Sequence, residues 1–256
     1  GAQAIQARHA RVELLARQTA IAPGSELLLG VRFVLEPGWH IYWINPGDSG
    51  QPPSLQWQMP DGFSAGEIRW PRPERLQTAS QIVDYGYRGD VLLTVPVRVP
   101  AFININGVPY LTFALDAKWL ICREVCFPDR AKLKLSLRAD LPAQANPDTA
   151  KMFTDAEKLL PRPLPQGCKA SAESKKDAFI LIVSSCKAAG EAEFFPLEAG
   201  EVENAAPQKV QFRTGKVEIT LKKSDLLLKP ITTLRGVLVL GETAYRIEAP
   251  VRSSLQ

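Results

Sequence analysis

The sequence predicts an all-β protein, two β-sandwich domains joined by a short helical linker, and three observations carry that prediction. Apolar and polar residues alternate over many short, strand-sized runs. Clusters of Gly, Pro, Asn and Asp separate these runs at regular intervals. Near residues 146–160 the pattern changes to a helical one before strands resume.

Taken in order, residues 8–15 alternate as a strand, and Ala22-Pro23-Gly24-Ser25 turns the chain into a second at 26–35. Glu36-Pro37-Gly38 ends that run. Trp39-His40-Ile41-Tyr42-Trp43 follows, and then the turn-rich Asn45-Pro46-Gly47-Asp48-Ser49-Gly50. Further strands fit 55–57, 66–70, 91–99, 108–120 and 131–139. Asn146-Pro147 has a capping residue followed by Pro at a first helical position, and Pro161-Arg162-Pro163 halts the helix expected over 149–160. Beyond it, strands fit 179–185, 192–196, 209–213, 216–222, 232–240 and 245–252, with Thr214-Gly215 as a hairpin turn. The expected division is a first domain over 1–142, a helical linker over 143–163 and a second β-sandwich over 164–256.

Composition narrows the function classes. Of 256 residues, 45% are hydrophobic and 23% charged, the balance of a chain that buries a core. The 21 prolines suit strands joined by turns, because Pro neither donates to a ladder nor continues a helix. A net charge of +4 without a dense basic tract gives no footprint for nucleic acid. No apolar run approaches the roughly 18 residues of a membrane helix. The chain opens on Gly1 rather than Met, so a leader or membrane portion is expected outside it.

The chemistry lies in four cysteines, at 122, 126, 168 and 186. Extended backbone would hold the Cys122 and Cys126 α-carbons roughly 13 Å apart, so pairing requires the chain to curl. Arg123-Glu124-Val125 can form a tight loop between two strand ends, and one helical turn would also serve. A bridge over so short a loop is a poor staple, because cross-linking stabilises more as the closed loop lengthens. A redox pair, a local structural cross-link and a thiolate metal site therefore all stay open. His9 and His40 show no metal-ligand spacing to the thiols and read as ordinary strand residues. Cys168 and Cys186 bracket a hairpin, and a loop of that size would gain roughly 3 kcal/mol, so they read as a structural disulfide. Trp39, Trp43 and Trp119 read as core.

Four blocks occur in one order: Gly38-Trp39-His40-Ile41-Tyr42-Trp43-Ile44-Asn45-Pro46-Gly47-Asp48-Ser49-Gly50; Trp70-Pro71-Arg72-Pro73-Glu74-Arg75; Asp84-Tyr85-Gly86-Tyr87; and Trp119-Leu120-Ile121-Cys122-Arg123-Glu124-Val125-Cys126. Together they resemble the N-terminal periplasmic domain of DsbD-type thiol:disulfide interchange proteins. The C-x-x-x-C spacing, Phe194-Phe195-Pro196-Leu197-Glu198 and Glu203-Asn204-Ala205-Ala206-Pro207-Gln208 resemble the ScsB-like branch.

The resemblance implies immunoglobulin-like sandwiches in the bacterial periplasm, tethered to a transmembrane electron-transfer domain in the full-length protein. It implies thioredoxin-like domains as electron donor and acceptor, no bound cofactor and no metal, in a family whose reactions include cytochrome c biogenesis. Cys122 and Cys126 fall on its redox pair. Asp84, Tyr85, Gly86 and Tyr87 fall on an aromatic cap loop that would shield the pair and swing aside for partners. Asp84 and Glu124 are then candidate proton shuttles. Two other readings remain, a non-catalytic binding module with structural bridges and a thiolate site for a soft metal such as Cu(I).

Overall fold

In the computed structural model, which describes residues 3–79, 81–186 and 190–253, the chain forms two compact units. The first comprises Gly1–Trp43, Gln51–Pro71 and Gly86–Lys158; the second comprises Ile44–Gly50, Arg72–Tyr85 and Leu159–Gln256. The strands His40–Gly47 and Ile82–Arg88 each contribute residues to both.

The first unit is a sandwich of antiparallel-rich sheets. One sheet runs Gln3–Ala7, Ala10–Ala16, Glu26–Leu35, Asp90–Arg98 and Ser64–Ala65. The other centres on the long hairpin of Tyr110–Cys122 with Cys126–Arg138, and Ser54–Gln58 pairs with its first strand. Alternation decides what each strand buries. Leu29, Val31 and Phe33 face inward from one sheet, and Phe113, Leu115, Ala117, Trp119 and Ile121 from the other, all nearly inaccessible. Phe33 meets Trp119 edge-on at 5.3 Å between ring centroids, a contact that joins the two sheets.

The predicted helix forms as Ala150–Lys158. The Asn146 side chain accepts from the Asp148 backbone N–H at 3.1 Å in a turn ahead of the helix. The helix starts at Ala150 rather than at Pro147, with the Thr149 carbonyl accepting from Phe153 N–H. The helix follows the strands of the first sandwich in sequence and precedes those of the second, and its own packing is specific. Phe153 and Ala156 are buried with Leu15, Leu28 and Leu92 on the outer face of the first sheet. Gly30 makes room for them: a Cβ there would sit 2.7 Å from Leu92 Cδ1 and 3.0 Å from Phe153 Cζ.

The second unit holds a seven-stranded arrangement in the order Ala192–Pro196, Thr233–Leu240, Thr243–Ser253, Lys169–Ser174, Ala178–Ser184, Lys216–Lys222 and Lys209–Arg213. Thr243–Ser253 pairs with Thr233–Leu240 through Pro250, then with Lys169–Ser174 from Val251, so one strand serves both sheets. Their core is Phe179, Leu181, Val183, Phe194, Val217, Ile219, Leu234 and Leu238. Both units are immunoglobulin-like sandwiches, as the sequence predicted. The turn at Thr214-Gly215 also forms, with Arg213 opposite Lys216.

Two local expectations change. The run at 66–70 is not a continuous strand; Gly66 and Arg69 each donate one backbone bond, to Pro96 and Thr94. His9, expected within a strand, turns the chain between Gln3–Ala7 and Ala10–Ala16 with φ 55°.

Candidate functional site

The two strands of the long hairpin end on Cys122 and Cys126, directly opposite one another in register. They are disulfide-bonded, with α-carbons 4.1 Å apart, and only Arg123-Glu124-Val125 separates the strands. The Arg123 N–H donates to the Val125 carbonyl at 3.2 Å to close that loop. The two cysteines differ in access: Cys122 is 2% exposed, whereas Cys126 is an exposed residue. An external thiol therefore meets the Cys126 side of the bridge.

Alternate residues share a face of a strand, so the disulfide begins a ladder of facing pairs. Leu120 lies opposite Pro128, and Lys118 opposite Arg130. Those residues, with Gln51, Pro52 and others, line an open groove of about 510 Å³.

Buried side chains support the bridge from the neighbouring strand. His40 pairs with Cys122 in register. The Tyr42 hydroxyl lies 3.8 Å from Cys126 Sγ, and His40 Nε2 lies 3.2 Å from that hydroxyl. Burial first, and Arg88 second, lower the His40 pKa to about 4, which leaves the ring neutral. On the other flank, His9 stacks on Trp39 with centroids 3.8 Å apart and planes 7° from parallel, and its Nδ1 lies 2.7 Å from a Glu36 oxygen. The Arg123 guanidinium lies over Trp39, and that of Arg8 over Phe127.

A family model described as the N-terminal domain of the thiol:disulfide interchange protein DsbD matches residues 11–138. The chain belongs to that family. No curated protein matches it in sequence. Among solved structures it is similar to the N-terminal periplasmic domain of ScsB from Proteus mirabilis, at 17% identity and a TM-score of 0.68. That likeness covers 95% of this chain and 93% of the ScsB domain, and it concerns the fold. The DsbD family is one of thiol–disulfide interchange, and this member carries a disulfide at the end of the hairpin that its family match includes. Among the described residues, no helix is long and apolar enough to cross a membrane.

For this DsbD-type domain, the predicted site residues divide into two groups. Cys122 and Cys126 meet, and Glu124 stands exposed in the loop between them. The segment expected as an aromatic cap loop is instead the strand Ile82–Arg88, with Asp84, Tyr85 and Tyr87 buried. Gly86 lets the backbones approach, since a Cβ there would sit 2.0 Å from the Ile41 carbonyl oxygen. Tyr87 donates its hydroxyl to the Pro71 carbonyl at 2.8 Å, and burial raises its pKa.

Asp84 and Tyr85 belong to a polar network of the second unit. Asp84 accepts from the Ser49 backbone N–H at 2.8 Å and from the Ser49 hydroxyl. Burial pushes its carboxyl above the ordinary range, against the pull of those donors. Asp48 accepts from Val83 N–H and from the Asn204 amide, while Asn204 Oδ1 accepts from the Tyr85 hydroxyl at 3.0 Å. Asn45 donates to the Pro196 carbonyl at 2.8 Å. Residues 45–49, 83–85, 196 and 204, far apart in sequence, thus share hydrogen bonds within the second unit. Cys168 and Cys186 are joined in this unit as well, flanking the hairpin of Lys169–Ser174 with Ala178–Ser184.

The sequence reading missed His40 and Tyr42. Both lie in the block that carried the family resemblance, two positions apart and hence on one face of a strand. That spacing was the available signal.

Proposed function

We propose that this domain is a periplasmic electron relay that takes two electrons from a thioredoxin-like reductase domain and passes them through Cys122 and Cys126 to thioredoxin-fold clients. The observation that carries the reading is a disulfide between one exposed and one buried cysteine. In the reduced domain the Cys126 thiolate attacks a client disulfide. The client S–S bond breaks, a Cys126–client bond forms, and the departing client sulfur takes up a proton. Cys122, as thiolate, then attacks Cys126 Sγ and expels the second client sulfur, which is protonated in turn. Two electrons and two protons have moved to the client, and the Cys122–Cys126 bridge is restored for reduction by the donor. No cofactor takes part. In the cell the domain would be tethered through a transmembrane portion of a longer protein.

Single substitutions test the reading against a thioredoxin-like protein carrying a disulfide. Cys122→Ala and Cys126→Ala should each abolish net exchange. Cys122→Ala keeps the exposed thiol and should accumulate a mixed disulfide, whereas Cys126→Ala keeps only the enclosed thiol and should accumulate far less. Exchange at the parent rate in both variants would refute the proposal.

A further inference from the structure

His40 and Tyr42 have side chains at the bridge and no role in the steps above. The strand His40–Gly47 places them on one face, two residues apart, with rings edge-to-face at 5.2 Å. They are 4% and 1% exposed. Their polar atoms run in series: His40 Nε2, 3.2 Å to the Tyr42 hydroxyl, then 3.8 Å to Cys126 Sγ.

Chemistry sets the direction of that series. A disulfide sulfur carries no proton, so the hydroxyl is the donor toward Cys126. The Tyr42 oxygen then accepts from His40, whose Nε2 lies within hydrogen-bond distance. A neutral imidazole has one N–H, and the nitrogen facing the Tyr42 oxygen is Nε2, so the network assigns the proton there. His40 is neutral because it is enclosed and Arg88 stands against it.

We propose that Tyr42 is a catalytic residue whose hydroxyl hydrogen-bonds the Cys126 sulfur and favours its thiolate, and that His40 is the positioning residue that aims it. The proposal rests on the exchange reading of the cysteine pair. A hydrogen bond donated to a thiolate stabilises the charged form, which is the form that attacks. The neighbouring charged side chains are Arg88 on the adjacent strand and Arg123 and Glu124 in the hairpin loop. A neutral donor inside the fold serves a site that must meet different partners, because its strength does not depend on an exposed ion pair that salt would screen.

Phenylalanine in place of Tyr42 keeps the ring and removes only the hydroxyl. The measurement is the pH dependence of Cys126 alkylation in the Cys122→Ala background, where no second site thiol complicates the titration, followed by exchange rates in the two-cysteine protein. Tyr42→Phe should raise the apparent Cys126 pKa by about one unit, which cuts the thiolate fraction at neutral pH roughly tenfold. Each thiolate becomes more nucleophilic as its pKa rises, with a Brønsted slope of about 0.4–0.5, so the exchange rate should fall only about threefold. His40→Phe should shift the pKa in the same direction. His40→Gln keeps a side-chain N–H donor and should restore much of the parent value, a rescue that a space-filling role would not produce.

Circular dichroism establishes that each variant is folded, and if Tyr42→Phe is not, the two His40 variants decide. An unchanged pKa in folded Tyr42→Phe overturns the proposal, as does identical behaviour of His40→Phe and His40→Gln. If the cysteine variants lose exchange while Tyr42→Phe matches the parent, this proposal alone fails. If the cysteine variants exchange normally, the relay itself is wrong.

Discussion

His40 is enclosed beside the bridge with its pKa lowered to about 4, below the ordinary 6.5 of an exposed histidine. The unfolded chain therefore binds a proton near pH 6.5 that the folded protein refuses until about pH 4. Stability from this residue is fully present above pH 6.5 and is lost as pH falls through that window. The full difference corresponds to about 3 kcal/mol. Denaturant unfolding at pH 7 and at pH 4.5, for the parent and for His40→Gln, isolates the effect because the carboxylates contribute to both profiles. The parent should lose more stability than the variant on acidification, and parallel profiles would show that His40 does not titrate in that range. The role of this residue was hard to see beforehand. In His40-Ile41-Tyr42-Trp43 every residue is buried, so both faces read as core, and the sulfur that Tyr42 meets lies 84 residues further along the chain. The cysteines were legible because few residue types share their chemistry; a histidine on a strand has many ordinary uses.

At the scale of elements, the hairpin ending on Cys122 and Cys126 was visible as two alternating runs with a short polar loop between them. Its bridge closes so few residues that cross-linking contributes about 2 kcal/mol in the entropy account, against about 3 for the longer Cys168–Cys186 loop. A weak staple placed where one cysteine is exposed suits a bond that is made and broken. The edge strand Ala192–Pro196 shows a different device, one that alternation could not reveal. It pairs on one side with Thr233–Leu240. On the other side the Gln208 amide accepts from the Phe194 N–H at 2.8 Å and donates to the Phe194 carbonyl at 2.7 Å, as a neighbouring strand would. The Asn45 amide donates to the Pro196 carbonyl. Gln208→Ala should leave both Phe194 groups without those partners and cost about 1–3 kcal/mol. Thermal unfolding measures that loss, while the Cys122–Cys126 exchange rate should not change. An unchanged melting temperature would show that water replaces the amide at no cost.

Over the whole molecule, two immunoglobulin-like sandwiches were legible from the spacing of strands and turns, but their boundaries were not. A continuous strand gives no local sign that Trp43 belongs to one compact unit and Ile44 to another, or that Tyr85 and Gly86 divide likewise. The helix Ala150–Lys158 reads as a linker from its flanking prolines, and only the docking of Phe153 onto Leu28 and Leu92 assigns it to the first unit. The two disulfides test whether the units also divide the labour. Cys168–Cys186 ties the ends of the Lys169–Ser174 and Ala178–Ser184 hairpin, and Cys186 is packed into the core of the second unit. Replacing both cysteines with alanine should lower stability by about 3 kcal/mol, the entropy of a freed loop of that length. The lost packing of Cys186 adds to that figure. Because Cys122, Cys126 and both supporting side chains lie in the first unit, the proposed exchange with a thioredoxin-like partner should continue at the parent rate wherever the protein stays folded. Denaturant unfolding and exchange assays on the same preparation separate the outcomes. Loss of exchange at undiminished stability would mean that the second bridge takes part in electron transfer, and that its structural assignment is wrong.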